Sequence, residues 1–179
     1  MQFNTTQLET TRLALRAWEA EDFKVFASMC AEPEVVRFTT VDAKPMSRAD
    51  AWGAFAYQLG HSLLRGFGQF AIVERASNEI MGRAGPWQPE GWPEFEIQCV
   101  LRQKYWGQGY ATEAMKACIR YAFAELDKLH LIGLIEPENV SSIRLAERVG
   151  ERLEGNVRLP WMPDRPLLQY GLHRKDWRG

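Results

Sequence analysis

Apolar positions along the chain recur at two spacings, every second residue in some stretches and every third or fourth in others, and the switches between them predict the elements. Leu13 and Leu15 alternate with polar neighbours, so a strand is expected over 13–16, followed by a helix from about Ala20 to Met29. Ala49, Trp52, Ala56, Leu59 and Leu63 follow one another at steps of three and four, which lines one face of a second helix, with Ser47 as N-cap and Gly66 at its end. Phe70-Ala71-Ile72-Val73 and the run around Ile80-Met81-Gly82, joined across Ser77-Asn78, predict an antiparallel hairpin. Phe95, Ile97, Cys99 and Leu101 then alternate with Glu96, Gln98 and Val100, a strand that leads into a glycine turn. After the turn, from about Tyr110 to Leu126, Ala111, Ala114, Met115, Cys118 and Ala122 share one helical face, and their small size lets the helix lie close to a sheet. Leu131 to Ile135 has the length of a strand, and a strand-helix-strand succession of this size is normally a parallel crossover. A short helix capped by Ser141 or Ser142 and ending near Gly150, then strands around Leu153 to Leu159 and Leu167 to His173, complete the order.

The expected architecture is α/β: a single domain over 1–179, with a mixed, mostly antiparallel twisted sheet of about six or seven strands, flanking helices and one parallel pair around the glycine turn. Three prolines and two glycines keep Gly85 to Pro93 out of regular structure, so it reads as a loop, and its Trp87 and Trp92 either close over a ligand or pack onto the core. Trp161 belongs to a second loop that either meets this one or only packs. The final strand reads as an exposed edge, which allows a homodimer.

Composition removes several classes of function. Lys and Arg total 22 against 23 Asp and Glu, a formal net charge of -1, so no field for nucleic acid or an acidic membrane surface is built in. No apolar run approaches the roughly 18 residues of a membrane span, and Met1 to Thr6 lack the basic start and apolar run of a signal peptide, so a cytoplasmic location is expected. Cys30, Cys99 and Cys118 are far apart and read as buried apolar fillers, not a disulfide or thiolate metal framework. His61, His130 and His173 stand singly, so no metal is expected. His173 reads as a partly buried strand residue, with the lining of an acceptor cleft as its alternative.

Chemistry concentrates between Arg102 and Ala114. Gly107 and Gly109 allow a sharp turn and leave backbone amides free beside a helix start, where the dipole favours an anion such as a pyrophosphate; a plain tight connection is the alternative. A P-loop is excluded because no Gly-Lys dipeptide occurs, and a dinucleotide fingerprint would need a third glycine where Thr112 stands.

The run Lys104-Tyr105-Trp106-Gly107-Gln108-Gly109-Tyr110-Ala111-Thr112-Glu113-Ala114 closely resembles the acetyl-CoA-binding motif of GNAT superfamily N-acetyltransferases. Asn139-Val140-Ser141-Ser142, the closing segment from Leu168 to Trp177 and the opening Thr11 to Arg16 are similar to the Rim-type branch, which acetylates ribosomal-protein N-termini, so nearly the whole chain is covered. The resemblance implies the GNAT fold, with its parallel pair splayed, and transfer of an acetyl group from acetyl-CoA to an amine by direct attack in a ternary complex. It assigns the pantetheine arm to Cys99, Val100, Leu101 and Asn139, and the pyrophosphate to Gly107, Gln108, Gly109, Tyr110 and Ala111, with Thr112 close by and Lys104 opening the motif. An amide near Val100 would polarise the thioester carbonyl. Two positions depart from the pattern: Lys104 stands where Gln or Arg is usual, and Ala146 where many members carry a tyrosine that protonates the departing thiolate. In the Rim-type branch a serine matches Ser142, which the resemblance therefore assigns to the leaving sulfur; as a plain residue it reads as an N-cap, and Asn139 as an ordinary turn residue.

An amine arriving protonated must lose a proton before it attacks. Glu96 is the first candidate base, on the strand face opposite Phe95 and Ile97 and at a frequent acidic position of the branch, and Glu94, on the same face, is the second; a solvated strand glutamate is the alternative for both. A non-catalytic acyl-CoA-binding or sensing module on the same scaffold is the runner-up, and an acetyltransferase of small-molecule amines differs only in acceptor.

Overall fold

The computed structural model describes residues 6–40 and 42–179, so the leader reading on Met1 to Thr5 lies outside the described residues. Eight strands form one sheet: β1 (Leu8–Glu9), β2 (Leu13–Arg16), β3 (Phe70–Glu74), β4 (Ile80–Trp87), β5 (Glu96–Leu101), β6 (His130–Ile135), β7 (Arg152–Leu159) and β8 (Met162–His173). They are hydrogen-bonded in the order β1-β2-β3-β4-β5-β6-β8-β7. All neighbours are antiparallel except β5 and β6, which meet in parallel at one registered pair, Glu96 with Ile132, and then diverge. The helices are α1 (Phe23–Cys30), α2 (Pro33–Val36), α3 (Arg48–Arg65), α4 (Tyr110–Ala124) and α5 (Val140–Val149).

Two apolar clusters sit on opposite faces of the sheet. Leu13, Ile72, Phe95, Ile97 and Leu101 meet the small-residue face of α4, including Ala114, Cys118 and Ala122. On the other face Phe26, Cys30, Ala51 and Phe55 of α1 and α3 pack against Trp18 and Ala71. Helix α3 begins as its pattern predicts, with Ser47 Oγ accepting from the Asp50 amide at 3.1 Å, and ends on Gly66 in the left-handed region.

Several expectations are corrected. The described residues form eight strands where about six or seven were expected, because β1 spans only two residues and is too short to show a period. Ala20–Asp22 is a 3-10 turn, α1 starts at Phe23, and α2, with Pro33 at its first position, carries no periodic signal at four residues. Gly85, Pro86 and Trp87 are strand, not loop: they pair with Gln98, Ile97 and Glu96. The registered β3 partner of β4 ends at the Phe70–Ala84 pair, so Pro86 has a strand on one side only and its missing N–H breaks no ladder. The same reason admits Pro163 and Pro166 to β8, which begins at Met162 and is joined by β6 only from Leu168 onward. Strand β8 is interior; the exposed edge next to it belongs to β7. Among the described residues no helix is long and apolar enough to cross a membrane.

Candidate active site

The divergence of β5 from β6 opens the sheet. Beyond Glu96, β5 keeps β4 along one side, while its other side has no registered partner strand at Cys99, Val100 or Leu101. That leaves backbone donors and acceptors for an amide-bearing chain, the pairing that a pantetheine arm needs. Strand β5 then runs through a 3-10 turn, Gln103–Tyr105, into Gly107 and Gly109, at φ 74 and 80°. Gly109 is the N-cap of α4 and has no side chain with which to cap it. Among the described residues no hydrogen bond engages the amides of Tyr110, Ala111 or Thr112, so a row of donors at the positive helix end faces outward.

Arg12 clamps this turn. Its Nη1 donates to the Gln108 carbonyl at 3.0 Å, its Nε pairs with Glu113 at 2.7 Å, and its guanidinium lies 4.2 Å from the Tyr110 ring centroid. Sequence reasoning noted Arg12 only as part of a likeness; the 96 residues that separate it from Gln108 hide the contact from any local pattern. Arg148 of α5 reaches Thr112 Oγ1 at 3.4 Å and adds a second cation at the turn. Lys104, by contrast, pairs with Glu79 at 2.8 Å and lies over the Tyr105 ring.

At the opening between β5 and β6 lies a cavity of about 510 Å³, lined from α1 and α3 on one side of the sheet and from Met115 of α4 and from α5 on the other. Glu96 is on its wall, 2% exposed, which corrects the solvated alternative. Its Oε2 accepts from Trp92 Nε1 at 2.9 Å and Gln98 Nε2 at 2.7 Å, and its Oε1 from the Leu134 amide at 3.0 Å. Burial nevertheless outweighs these bonds and pushes its pKa up to about 7. Glu94 is outside the cavity lining and is bound to His130 Nδ1 at 2.8 Å. Trp92 roofs Glu96 and leans on Trp161 with ring centroids 5.6 Å apart, so the two loops do meet; Trp87 packs inward, stacked on His61.

Gln98 belongs to a chain of buried amides that sequence reasoning passed over. Arg83 Nη1 and Gln58 Nε2 both donate to Gln69 Oε1, Gln69 Nε2 donates to Gln98 Oε1 at 2.6 Å, and Gln98 donates to Glu96. Gln69 and Gln98 each accept at one end and donate at the other, so both dipoles point at the Glu96 carboxylate, while Gln58 only donates and its buried Oε1 has no partner. Only the alternation of Glu96 and Gln98 was visible locally.

Helix α5 supplies the opposite wall. Asn139, not Ser141 or Ser142, is its cap: Asn139 Oδ1 accepts from the Ser142 amide at 3.2 Å and from Ser141 Oγ at 2.9 Å. The Ser142 hydroxyl has no hydrogen-bond partner among the described residues and lines the cavity with Asn139 and Ala146. Glu151, just past α5, is 3% exposed, with Oε1 unpartnered and Oε2 where a side chain at Gly133 would be only 3.1 Å away. Burial first, then the neighbouring Glu96, raise its pKa to about 8. Cys99 packs against the core but is only half-buried and lines the cavity, as does the buried Cys30.

The expectation that the histidines stand apart is also corrected. His130 and His173 are cross-strand partners with rings stacked 4.3 Å apart, and with Glu154 they bring ligand-type atoms within 4.8 Å of one another. Both His130 nitrogens are already engaged, by Glu94 and by Glu154 at 2.9 Å. Partial burial opposes charge on that ring, but the two carboxylates outweigh it and its pKa is raised.

Comparison with known proteins agrees with this arrangement. A family model described as an acetyltransferase (GNAT) domain matches residues 12–152. A Bacillus licheniformis protein named as the N-acetyltransferase p20 is 30% identical over 155 residues, covering 84% of this chain and 85% of its own length. The crystal structure of an acetyltransferase from Agrobacterium tumefaciens str. C58 superposes with a TM-score of 0.83 at 29% identity, over 97% of this chain and 98% of that one. A putative ribosomal-protein-serine acetyltransferase from Vibrio cholerae shares the fold, with a TM-score of 0.76 at 20% identity over 96% and 99% of the two chains. With a donor-lined turn at the head of α4, an unpaired strand edge leading to it and a carboxyl-bearing cavity alongside, the chain belongs to the GNAT acetyltransferase family.

Proposed function

We propose that acetyl transfer takes place at the cavity between Glu96 and Ser142, by direct attack of an amine within a ternary complex. The observation that carries this reading is the buried Glu96 carboxyl, held by three donors with a pKa of about 7, beside the unpaired edge of β5. Acetyl-CoA supplies the acetyl group as a thioester, with no metal required. Gly107, Gln108, Gly109, Tyr110, Ala111 and Thr112 would hold its pyrophosphate, with Arg12, itself paired with Glu113, fixing the turn and Arg148 adding charge; Cys99, Val100, Leu101 and Asn139 would line the pantetheine arm. Lys104 is the weakest of these assignments, since its ammonium is already paired with Glu79.

Glu96 takes a proton from the incoming ammonium, and the freed nitrogen lone pair forms the new C–N bond at the thioester carbonyl. As the C–S bond breaks, the second proton of the nitrogen passes to the departing sulfur, and the Ser142 hydroxyl stands available to hydrogen-bond that sulfur. The acceptor is an amine on a protein N-terminus, a reading supported by the likeness to the Rim-type branch, or on a small molecule.

Replacing Glu96 by Gln keeps the shape and removes the base. The expected outcome is a loss of maximal rate near pH 7 of about 100- to 10,000-fold, with partial recovery at alkaline pH as free amine accumulates. An unchanged rate across that pH range removes Glu96 from the mechanism. Bound acetyl-CoA without turnover of any amine leaves the acyl-CoA-binding module as the function.

A further inference from the structure

Among the described residues, one cation on the cavity wall has no anion paired directly with it. Glu136 is paired with Arg165, and burial holds the Glu96 and Glu151 carboxyls at pKa values of about 7 and 8, so neither is a permanent anion at neutral pH. Arg83 is different. It projects from β4 into the cavity on the Glu96 side, and burial lowers its pKa from a starting value so high that the group remains a cation. A guanidinium offers five N–H donors, yet the one partner of Arg83 is the neutral Gln69 carbonyl, and no carboxylate forms an ion pair with it among the described residues. Its remaining nitrogens are not sealed in the protein interior without partners, so they open to the cavity. The nearest carboxylate whose field acts on it, Glu96, is reached only through Gln69 and Gln98, so the guanidinium has no directly paired anion, and a forked donor set of this kind matches a carboxylate or phosphate.

We propose that the acceptor carries an anionic group in addition to its amine, and that Arg83 binds this group while Glu96 receives the amine proton. This inference rests on the acetyl-transfer reading of the cavity and adds the substrate class: an amino acid, a short peptide or a similar small zwitterion. Arg83 and Glu96 are joined through Gln69 and Gln98, so three hydrogen bonds and two carboxamides separate them, an upper limit of about 13 Å. Allowing a hydrogen bond at each end leaves at most about 7 Å between the amine and the anion of the acceptor. The chemistry common to the candidate anions is a compact oxyanion, and a carboxylate and a phosphate are separated experimentally.

The test uses ω-amino acids of increasing chain length, each beside its primary amide and the corresponding aminoalkyl phosphate, with unsubstituted alkylamines as reference. For the wild type, kcat/KM for the best acid is expected to exceed that of its amide by about 10- to 100-fold, the worth of a charge-assisted hydrogen-bonded pair. A higher rate for the phosphate at the same length identifies that anion instead. In Arg83→Gln the acid-to-amide ratio should collapse to near unity, and Arg83→Lys should restore part of it. Equal rates for acid and amide in the wild type, with alkylamines turned over, overturn the proposal and leave acetyl transfer standing. Where no amine is acetylated by protein that binds acetyl-CoA, the acetyl-transfer reading fails and this one falls with it. The wild-type ratio decides the matter even where an Arg83 variant does not fold.

Discussion

Gly109 shows how one residue serves both chain geometry and ligand binding. Its φ of 80° is a conformation that side chains rarely adopt, and a Cβ there would meet only the Arg12 guanidinium, at 3.5 Å. The requirement is therefore backbone freedom and an open path to the amides, not space in the protein. Two substitutions separate these. Gly109→Asn keeps the left-handed conformation at modest cost but sets a side chain in front of the donors, so acetyl-CoA affinity should fall with little change in melting temperature. Gly109→Val should lower both, losing at least about 1–2 kcal/mol of stability. Calorimetric titration beside thermal unfolding checks the pair; wild-type affinity in a folded Gly109→Asn protein would show that the anion binds elsewhere.

At the scale of elements, the α5 start divides two tasks between neighbours. Asn139 caps the helix through its carbonyl oxygen, which leaves the Ser142 hydroxyl uncommitted on the cavity wall. Asn139→Ala should therefore cost about 1 kcal/mol of stability, while Ser142→Ala should leave the melting temperature nearly unchanged and lower turnover without weakening acetyl-CoA binding. Unfolding curves and steady-state rates for both variants are the measurement. A Ser142→Ala protein with full turnover on a good acceptor would exclude the hydroxyl from the chemistry. The splayed β5–β6 pair has a comparable division. One face of β5 supplies Ile97 and Leu101 to the core, the other supplies Glu96 and Gln98 to the cavity, and its free edge is left for the cosubstrate.

For the whole molecule, the two buried carboxyls tie stability to pH. Below the ordinary glutamate value of 4.5 the Glu151 carboxyl is protonated in folded and unfolded chains alike and has no effect. Between there and about 8 the unfolded chain has released a proton that the folded chain retains, so stability falls as pH rises, and above that window the loss is complete. Each pH unit of the window is worth up to about 1.4 kcal/mol. Glu151→Gln should consequently melt higher than wild type at pH 8, by about 3 °C or more, and the difference should vanish towards pH 4.5. Thermal unfolding of both proteins across this range tests it; parallel curves would show that Glu151 is solvated or paired. A second copy of the chain seeking a sheet edge on this side would meet β7 along its length, since β8 is enclosed between β6 and β7 from Leu168 onward.

Much of this was legible from the order of residues, because it depends on local physics. Alternation of apolar residues marks β2 and β5, a short apolar run marks β6, Ser47 and Gly66 delimit α3, and the two glycines before a small-faced helix mark the donor turn. The α3 stripe through Ala49, Trp52 and Ala56 is instead exposed, and Ala51, Phe55, Gln58 and His61 are the buried face. What lay beyond reach was set by contacts between distant segments. The extension of β4 through Pro86 depends on where its neighbour β3 stops, the cap of α5 on which side chain reaches back, and the meeting of His130 with His173 on strand register. Glu96 was nameable, but its burial, its amide chain to Arg83 and its raised pKa exist only once β4, β5, α3 and the Trp92 loop enclose one space. Periodicity reports which face a residue occupies; charge balance and solvation are properties of everything packed against that face, and only the tertiary structure supplies them.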